Sequence, residues 1–177
     1  MLLTIGLLLI SFSSNSQDTK LSRQEQKEAR RDKQYFNFQV LDTILQNKNF
    51  VLEADWLENQ YGNRRPVLSN LNFIMVDSTN AVLQTGSSSN MGFNGVGGTT
   101  AEGSISSLKI VKNVKNLSFF LRFTVLSNIG IYDVSMTIYS NGLARATITG
   151  LTRGKLVYDG RIETINNSSV YKGMKSI

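Results

Sequence analysis

Residues 131–149 constrain the fold more than any other stretch. Tyr132, Val134, Met136 and Ile138 alternate with Asp133, Ser135 and Thr137. Ala144, Ala146 and Ile148 then alternate with Arg145, Thr147 and Thr149. Strict alternation marks strands with one buried face. Between them stands Ser140-Asn141-Gly142, a hairpin signal. A two-residue turn at Asn141-Gly142 would pair Ile138 with Arg145 and mix the two faces, because a one-residue slip turns every side chain over. A three-residue loop instead pairs Ile138 with Ala144, Met136 with Ala146 and Val134 with Ile148. The register therefore predicts a type I turn with Gly142 in a left-handed bulge.

The neighbouring strands extend this meander. Leu156, Tyr158 and Ile162 continue the inward phase, with Val157, Asp159, Arg161 and Glu163 outward. Arg145 then lies opposite Asp159, a pair worth ~0.2–1 kcal/mol on an exposed face. Arg145, Asp159 and Arg161 suit either a polar binding site or a solvated sheet face, and the solvated face is the simpler reading. Upstream, Leu117, Phe119, Leu121, Phe123 and Val125 share one side. Phe120 and Leu126 make the other side partly apolar, as if that strand were covered on both faces, for instance by the N-terminal helix.

With Ile138-Tyr139-Ser140-Asn141-Gly142-Leu143-Ala144 at its centre, the run from Met136 to Ile148 resembles the C-terminal signature of a Bacteroidetes family, the domain of unknown function number 4251. The order of parts is similar too: a signal sequence, a charged helix, a strand like Asn49-Phe50-Val51-Leu52, a Gly-rich middle and the meander. The resemblance spans residues 22–165. It implies a fold, and it brings neither an activity nor catalytic residues.

Composition narrows the chemistry. The 177 residues include no cysteine and no histidine, so disulfides, thiolate chemistry and imidazole bases are absent. Residues 1–16 open with a short apolar run followed by small polar residues, the pattern of a secretory signal peptide cleaved after Ser16. A periplasmic or secreted protein is expected, without stable membrane insertion after cleavage. The net charge is +6, and much of the basic charge sits in one place, Lys20, Arg23, Lys27, Arg30, Arg31 and Lys33, with Asp18, Glu25, Glu28 and Asp32 interspersed. A nucleic-acid arm would be more one-sided, so no nucleic-acid partner is expected. Anionic lipid or polysaccharide of the envelope is a more natural counterpart.

Residues 17–47 form the charged N-terminal helix. Ser22 and Glu25 fit a capping box. Phe38, Leu41, Ile44 and Leu45 lie on one face, so the second half should dock on the sheet while the polar first half projects. Residues 48–165 form an antiparallel β domain. In its first strand, residues 49–57, alternation puts Phe50, Leu52, Ala54 and Trp56 inward and Glu53 and Asp55 outward. Glu53, Asp55 and Glu58 invite a cation, but no Gly-rich calcium loop accompanies them, and a charged solvent face is the simpler reading. No metal and no cofactor is expected. Residues 59–66 read as a loop. Residues 67–76 read as a strand with Leu71, Phe73 and Met75 inward, and residues 81–85 as its return.

Gly86, Gly92, Gly95, Gly97, Gly98 and Gly103 fall in one segment without the Gly-Lys-Ser/Thr of a phosphate loop. This segment reads as a loop or irregular edge strand over the sheet, with Phe93 as an apolar contact at the lip of any site. Residues 105–112 form a strand of ambiguous facing, and residues 166–177 a polar, frayed tail.

The fold class expected is mainly β: an antiparallel curled sheet of about eight strands, barrel or sandwich and possibly calycin-like, with one N-terminal α-helix. The function expected is a non-enzymatic exported binding module for a small apolar or glycan-like ligand, with Trp56, Phe93, Tyr132, Met136 and Tyr158 as candidate contacts. The alternative is a structural or interaction protein of the cell envelope, using its basic helix or a sheet edge. An enzyme would have to rely on carboxylates such as Glu53, Asp55 or Glu102, or on a Ser–Lys pair, and no motif frames them.

Overall fold

The structure is a computed structural model that describes residues 22–87, 95–150 and 154–176. The expected signal peptide and Phe93 lie outside the described residues, as do residues 151–153. The elements in chain order are α1 (Arg23–Gln46), β1 (Asn49–Glu58), β2 (Arg64–Pro66), β3 (Phe73–Asp77), β4 (Asn80–Thr85), β5 (Thr99–Asn113), β6 (Ser118–Ser127), β7 (Gly130–Tyr139), β8 (Leu143–Thr149) and β9 (Lys155–Glu163), followed by one 3₁₀ turn, Ile165–Asn167.

The strands close into a barrel rather than a sandwich. Eight of them, β1 and β3 to β9, pair antiparallel in sequence order, and β9 returns to β1 from Val51↔Glu163 to Glu58↔Val157. Closure leaves no open sheet edge in the ring. The ninth, β2, pairs with Trp56 to Glu58 beyond the point where β3 ends. It occupies what the sequence presents as a loop, and it carries the chain's single proline, tolerated on such an edge.

The hairpin register is the one dictated by the apolar phase. Ile138 faces Ala144, Met136 faces Ala146 and Val134 faces Ile148. The Gly142 amide donates to the Tyr139 carbonyl at 2.9 Å with φ +80°, a conformation that disfavours any side chain.

The barrel interior is filled from one end by α1. The Ser22 hydroxyl accepts from the Glu25 amide at 3.3 Å, and the Glu25 carboxylate accepts from the Ser22 amide at 2.7 Å, closing the capping box. These bonds hold the Glu25 carboxyl below its ordinary value. Phe38, Leu41 and Leu45 join the core with Phe50, Leu52, Phe119, Leu121, Met136 and Ile138. The Phe38 and Phe119 rings stack with centroids 4.6 Å apart, and Lys112 donates to Asp42 at 2.6 Å. The helix therefore covers the inner face of β6. The other face of that strand, with Phe120 and Leu126, is exposed rather than covered. Residues 23–36 of α1 are exposed throughout.

Four facings depart from simple alternation. In β1 the pairing with β9 shifts between Ala54 and Trp56. This bulge inserts Asp55 and reverses the phase, so Leu57 packs against the core and Trp56 turns out to 39% exposure. In β5 a shift between Ser106 and Lys109 allows Ile105 and Ile110, five residues apart, both to reach the core, which explains the ambiguous pattern. In β3 it is Ile74 and Val76 that face the core, whereas Phe73 forms a second cluster with Val51 and Val82 outside the barrel. In β9, outward-facing Val157 is buried at 2% exposure, in register with Glu58 and Thr147.

The second cluster exists because the C-terminal tail covers it. Ile165 and Val170 pack on Val51, Phe73 and Val82, with Met75. Gln84, outward and fully buried, clamps the strap. Its Nε2 donates to the Leu71 and Tyr171 carbonyls, and its Oε1 accepts from the Thr100 hydroxyl and the Gly173 amide. Glu53 accepts from Ser168, and Ser176 donates to the Thr100 carbonyl. The polar tail is thus docked, not frayed, through Ser176. The Gln84 clamp, the Ser168–Glu53 bond, backbone bonds and two aliphatic contacts hold it to the sheet, which composition does not reveal.

Candidate functional site

At the barrel end away from α1, the interior is not filled. A recess of about 340 Å³ opens between the ends of β4 and β5 on one side and β7, β8 and β9 on the other. Alternation builds it. Residues two apart on one strand face inward together, so each strand offers one deep and one rim position. Leu83, Ala101, Ile148 and Tyr158 are buried and make the floor. Thr85, Thr99, Gly150, Lys155 and Leu156 stand nearer the rim, with half-buried Tyr132 at the side.

The site has an apolar body and a few polar groups, as small-molecule sites commonly do. The Tyr158 hydroxyl is fully buried and donates to the Gln84 carbonyl at 3.1 Å. Burial pushes its pKa well above the ordinary tyrosine value. It is thus a fixed neutral donor rather than a proton carrier. At the rim the Thr85 hydroxyl accepts from the Thr99 amide at 3.3 Å, joining β4 to β5.

Of the candidate contacts, Tyr132 and Tyr158 come together in this mouth. Met136 does not line it. It is wholly buried in the packed half of the core, beneath the helix-filled end. Trp56 is not inward at all, because the β1 bulge has turned it to the outer wall. Leu83, Thr85, Thr99, Ala101 and Lys155 are lining residues that no pattern in the sequence marks. Leu83 and Thr85 are legible afterwards as an i, i+2 pair in β4.

Trp56 instead heads a polar cluster outside the barrel. The Arg64 guanidinium lies 4.7 Å from the indole centroid. Arg145 donates to both Asp159 oxygens, at 3.1 and 2.9 Å, and to Glu58 at 2.9 Å, while Arg64 reaches Asp159 at 3.3 Å. The Glu58 bond is the main cause holding the Arg145 pKa above its ordinary value. The expected Arg145–Asp159 pair is therefore part of a four-residue network. Glu53 is engaged by Ser168 and the Ser169 amide, and no group of three metal-ligating side chains occurs among the described residues.

A closed eight-stranded barrel with one helix, a three-residue hairpin at Gly142 and an open mouth can be compared with known proteins. The family described as a domain of unknown function, DUF4251, matches residues 32–162. The chain belongs to the DUF4251 family. The match begins within α1 and ends in β9, so the DUF4251 domain comprises the barrel and the docked half of the helix, while the C-terminal strap lies beyond it. The crystal structure of a DUF4251 family protein from Bacteroides eggerthii shares this fold with a TM-score of 0.63. It is 24% identical, over 75% of this chain and 91% of that one. No curated protein matches this chain. No helix among the described residues is long and apolar enough to cross a membrane.

Proposed function

We propose that this DUF4251 protein is an exported, non-enzymatic binding module that takes a small apolar or glycan-like ligand into the mouth of its barrel. The observation that carries this reading is the recess of about 340 Å³, floored by Leu83, Ala101, Ile148 and Tyr158 and rimmed by Thr85, Thr99 and Lys155. A floor of this kind favours the apolar version, with the ligand's polar end at the threonines and lysine. Among the described residues no carboxylate lines the recess, and the Tyr158 hydroxyl is committed to a backbone carbonyl, which supports binding without proton transfer. Export rests on the signal pattern of residues 1–16.

The test is titration with 1-N-phenylnaphthylamine, a neutral apolar fluorophore. Saturable one-to-one binding is expected in the protein, and its loss in Leu156→Glu, which puts a charge at the mouth. Absence of saturable binding, or equal binding by Leu156→Glu, refutes the reading.

The alternative, an envelope interaction protein, is supported by one observation. Residues 23–36 project from the barrel, and Tyr35 and Phe36 are 50% and 63% exposed among basic residues. Co-sedimentation with anionic phosphatidylglycerol vesicles, lost when residues 17–33 are removed, is the result that reading requires.

A further inference from the structure

We infer a second binding site on the outer wall of the barrel, a groove that takes one or two rings of a neutral saccharide against Trp56, Tyr139 and the Arg145–Asp159 fork. The groove holds about 380 Å³ and is floored by Ala144 and Gly160. It lies on the opposite side of the sheet from the mouth and does not depend on that reading.

The groove is built by a local exception to the strand pattern. The bulge at Asp55 expels the chain's single tryptophan from the core side. It is accommodated because β9 has Gly160 there, where a Cβ would collide with the Glu53 carbonyl oxygen. An indole held at the surface forgoes core burial, one of the larger hydrophobic gains available to a side chain. Tyr139 and Leu143, 51% and 40% exposed at the β7–β8 turn, complete the apolar flanks.

Between these flanks stand charges that already hold one another. Arg145 binds Asp159 and Glu58, and Arg64 binds Asp159 while covering one side of the indole. Their bonds do not use up the donors of two guanidinium forks or the acceptor sites of the carboxylates. Two guanidiniums and three carboxylates, counting Asp55, leave little net charge to draw an ion. What fits is a neutral molecule with alternating donors and acceptors and an apolar C–H face. Saccharide hydroxyls give and accept at once, so one ring can bridge guanidinium and carboxylate while its C–H face lies on an aromatic ring. The network is in place beforehand, which lowers the ordering cost of binding.

Trp56 is the only tryptophan, so its emission reports on this groove alone. The experiment titrates the protein with neutral gluco-, manno- and galacto-hexasaccharides. A saturable blue shift is expected with at least one of them, weakened about tenfold or more by Arg145→Gln and by Tyr139→Ala, with circular dichroism showing both variants folded. The mouth variant Leu156→Glu should bind with unchanged affinity, which separates this site from the other. The inference is overturned if no hexasaccharide gives a saturable shift up to about 10 mM, if the folded groove variants bind as well as the parent, or if only an acidic oligosaccharide binds.

Discussion

Replacing Tyr158 by Phe removes one oxygen from the centre of the molecule and leaves the ring. The hydroxyl is wholly buried and its hydrogen bond to the Gln84 carbonyl is 3.1 Å long. Loss of a neutral buried hydrogen bond costs about 1–1.5 kcal/mol, so the variant should be less stable by that amount at pH 7. The difference should then shrink with alkalinity. Burial raises the folded-state pKa of Tyr158 above the ordinary 10.0. Its contribution is fully present below the unfolded pKa and is lost as pH rises toward the folded one, because the unfolded chain releases the proton while the folded chain keeps it. In that window stability falls by about 1.4 kcal/mol per pH unit. At pH 11 the tyrosine protein has thus given up roughly what the hydroxyl contributed at pH 7, and the two proteins should be nearly equal in stability. Urea unfolding followed by circular dichroism at pH 7, 9 and 11 measures this directly. A gap that stays constant from pH 7 to 11, or a Phe variant as stable as the parent at pH 7, would refute the assignment of Tyr158 as a buried neutral donor.

Other perturbations test separate parts of the structure. Gly160→Ala should destabilise by about 3 kcal/mol, since the added methyl must displace the β1 backbone at the bulge, and the emission of Trp56 should shift with it. Gln84→Leu breaks four clamp bonds and should release the strap, seen as loss of hydrogen-exchange protection at the Gly173 and Ser176 amides; persistent protection would show that the aliphatic contacts suffice. Leu45→Ala, at a wholly buried position, should cost about 2–5 kcal/mol if the helix is part of the core, and under about 1 kcal/mol if it is an appendage. A double-mutant cycle on Arg145 and Asp159 should give a coupling below about 1 kcal/mol, because Arg145 is half exposed.

The parts of the fold legible in the sequence are those where one face is apolar and the other polar. Residues 131–149 alternate cleanly, and only the three-residue loop at Gly142 keeps their faces apart, so the register is recoverable residue by residue. The capping box and the Phe38–Leu41–Leu45 face place the helix in the same way. What escaped was hidden for identifiable reasons. A bulge costs one residue and reverses everything after it, so simple alternation puts Trp56 inside. The apolar spacing of Ala54 and Leu57, three apart, is the trace it leaves. Phe73 and Met75 read as core because β3 is covered on both faces, and alternation carries no sign when both faces are apolar. The covering strap is hidden in the sequence because backbone hydrogen bonds and a buried glutamine, which bind it, have no hydrophobic signature. The mouth is half visible: alternation points Tyr132 and Tyr158 inward, but Leu83 and Lys155 become neighbours only when the barrel closes.

A ligand site at the open end of the barrel should keep its ligand through purification. Native mass spectrometry of the protein purified from its own cells tests it most directly. A small molecule should co-purify in a one-to-one complex and be absent from the Leu156→Glu variant. Recovery of the parent protein solely at its unliganded mass, or of the same adduct on both proteins, would contradict it.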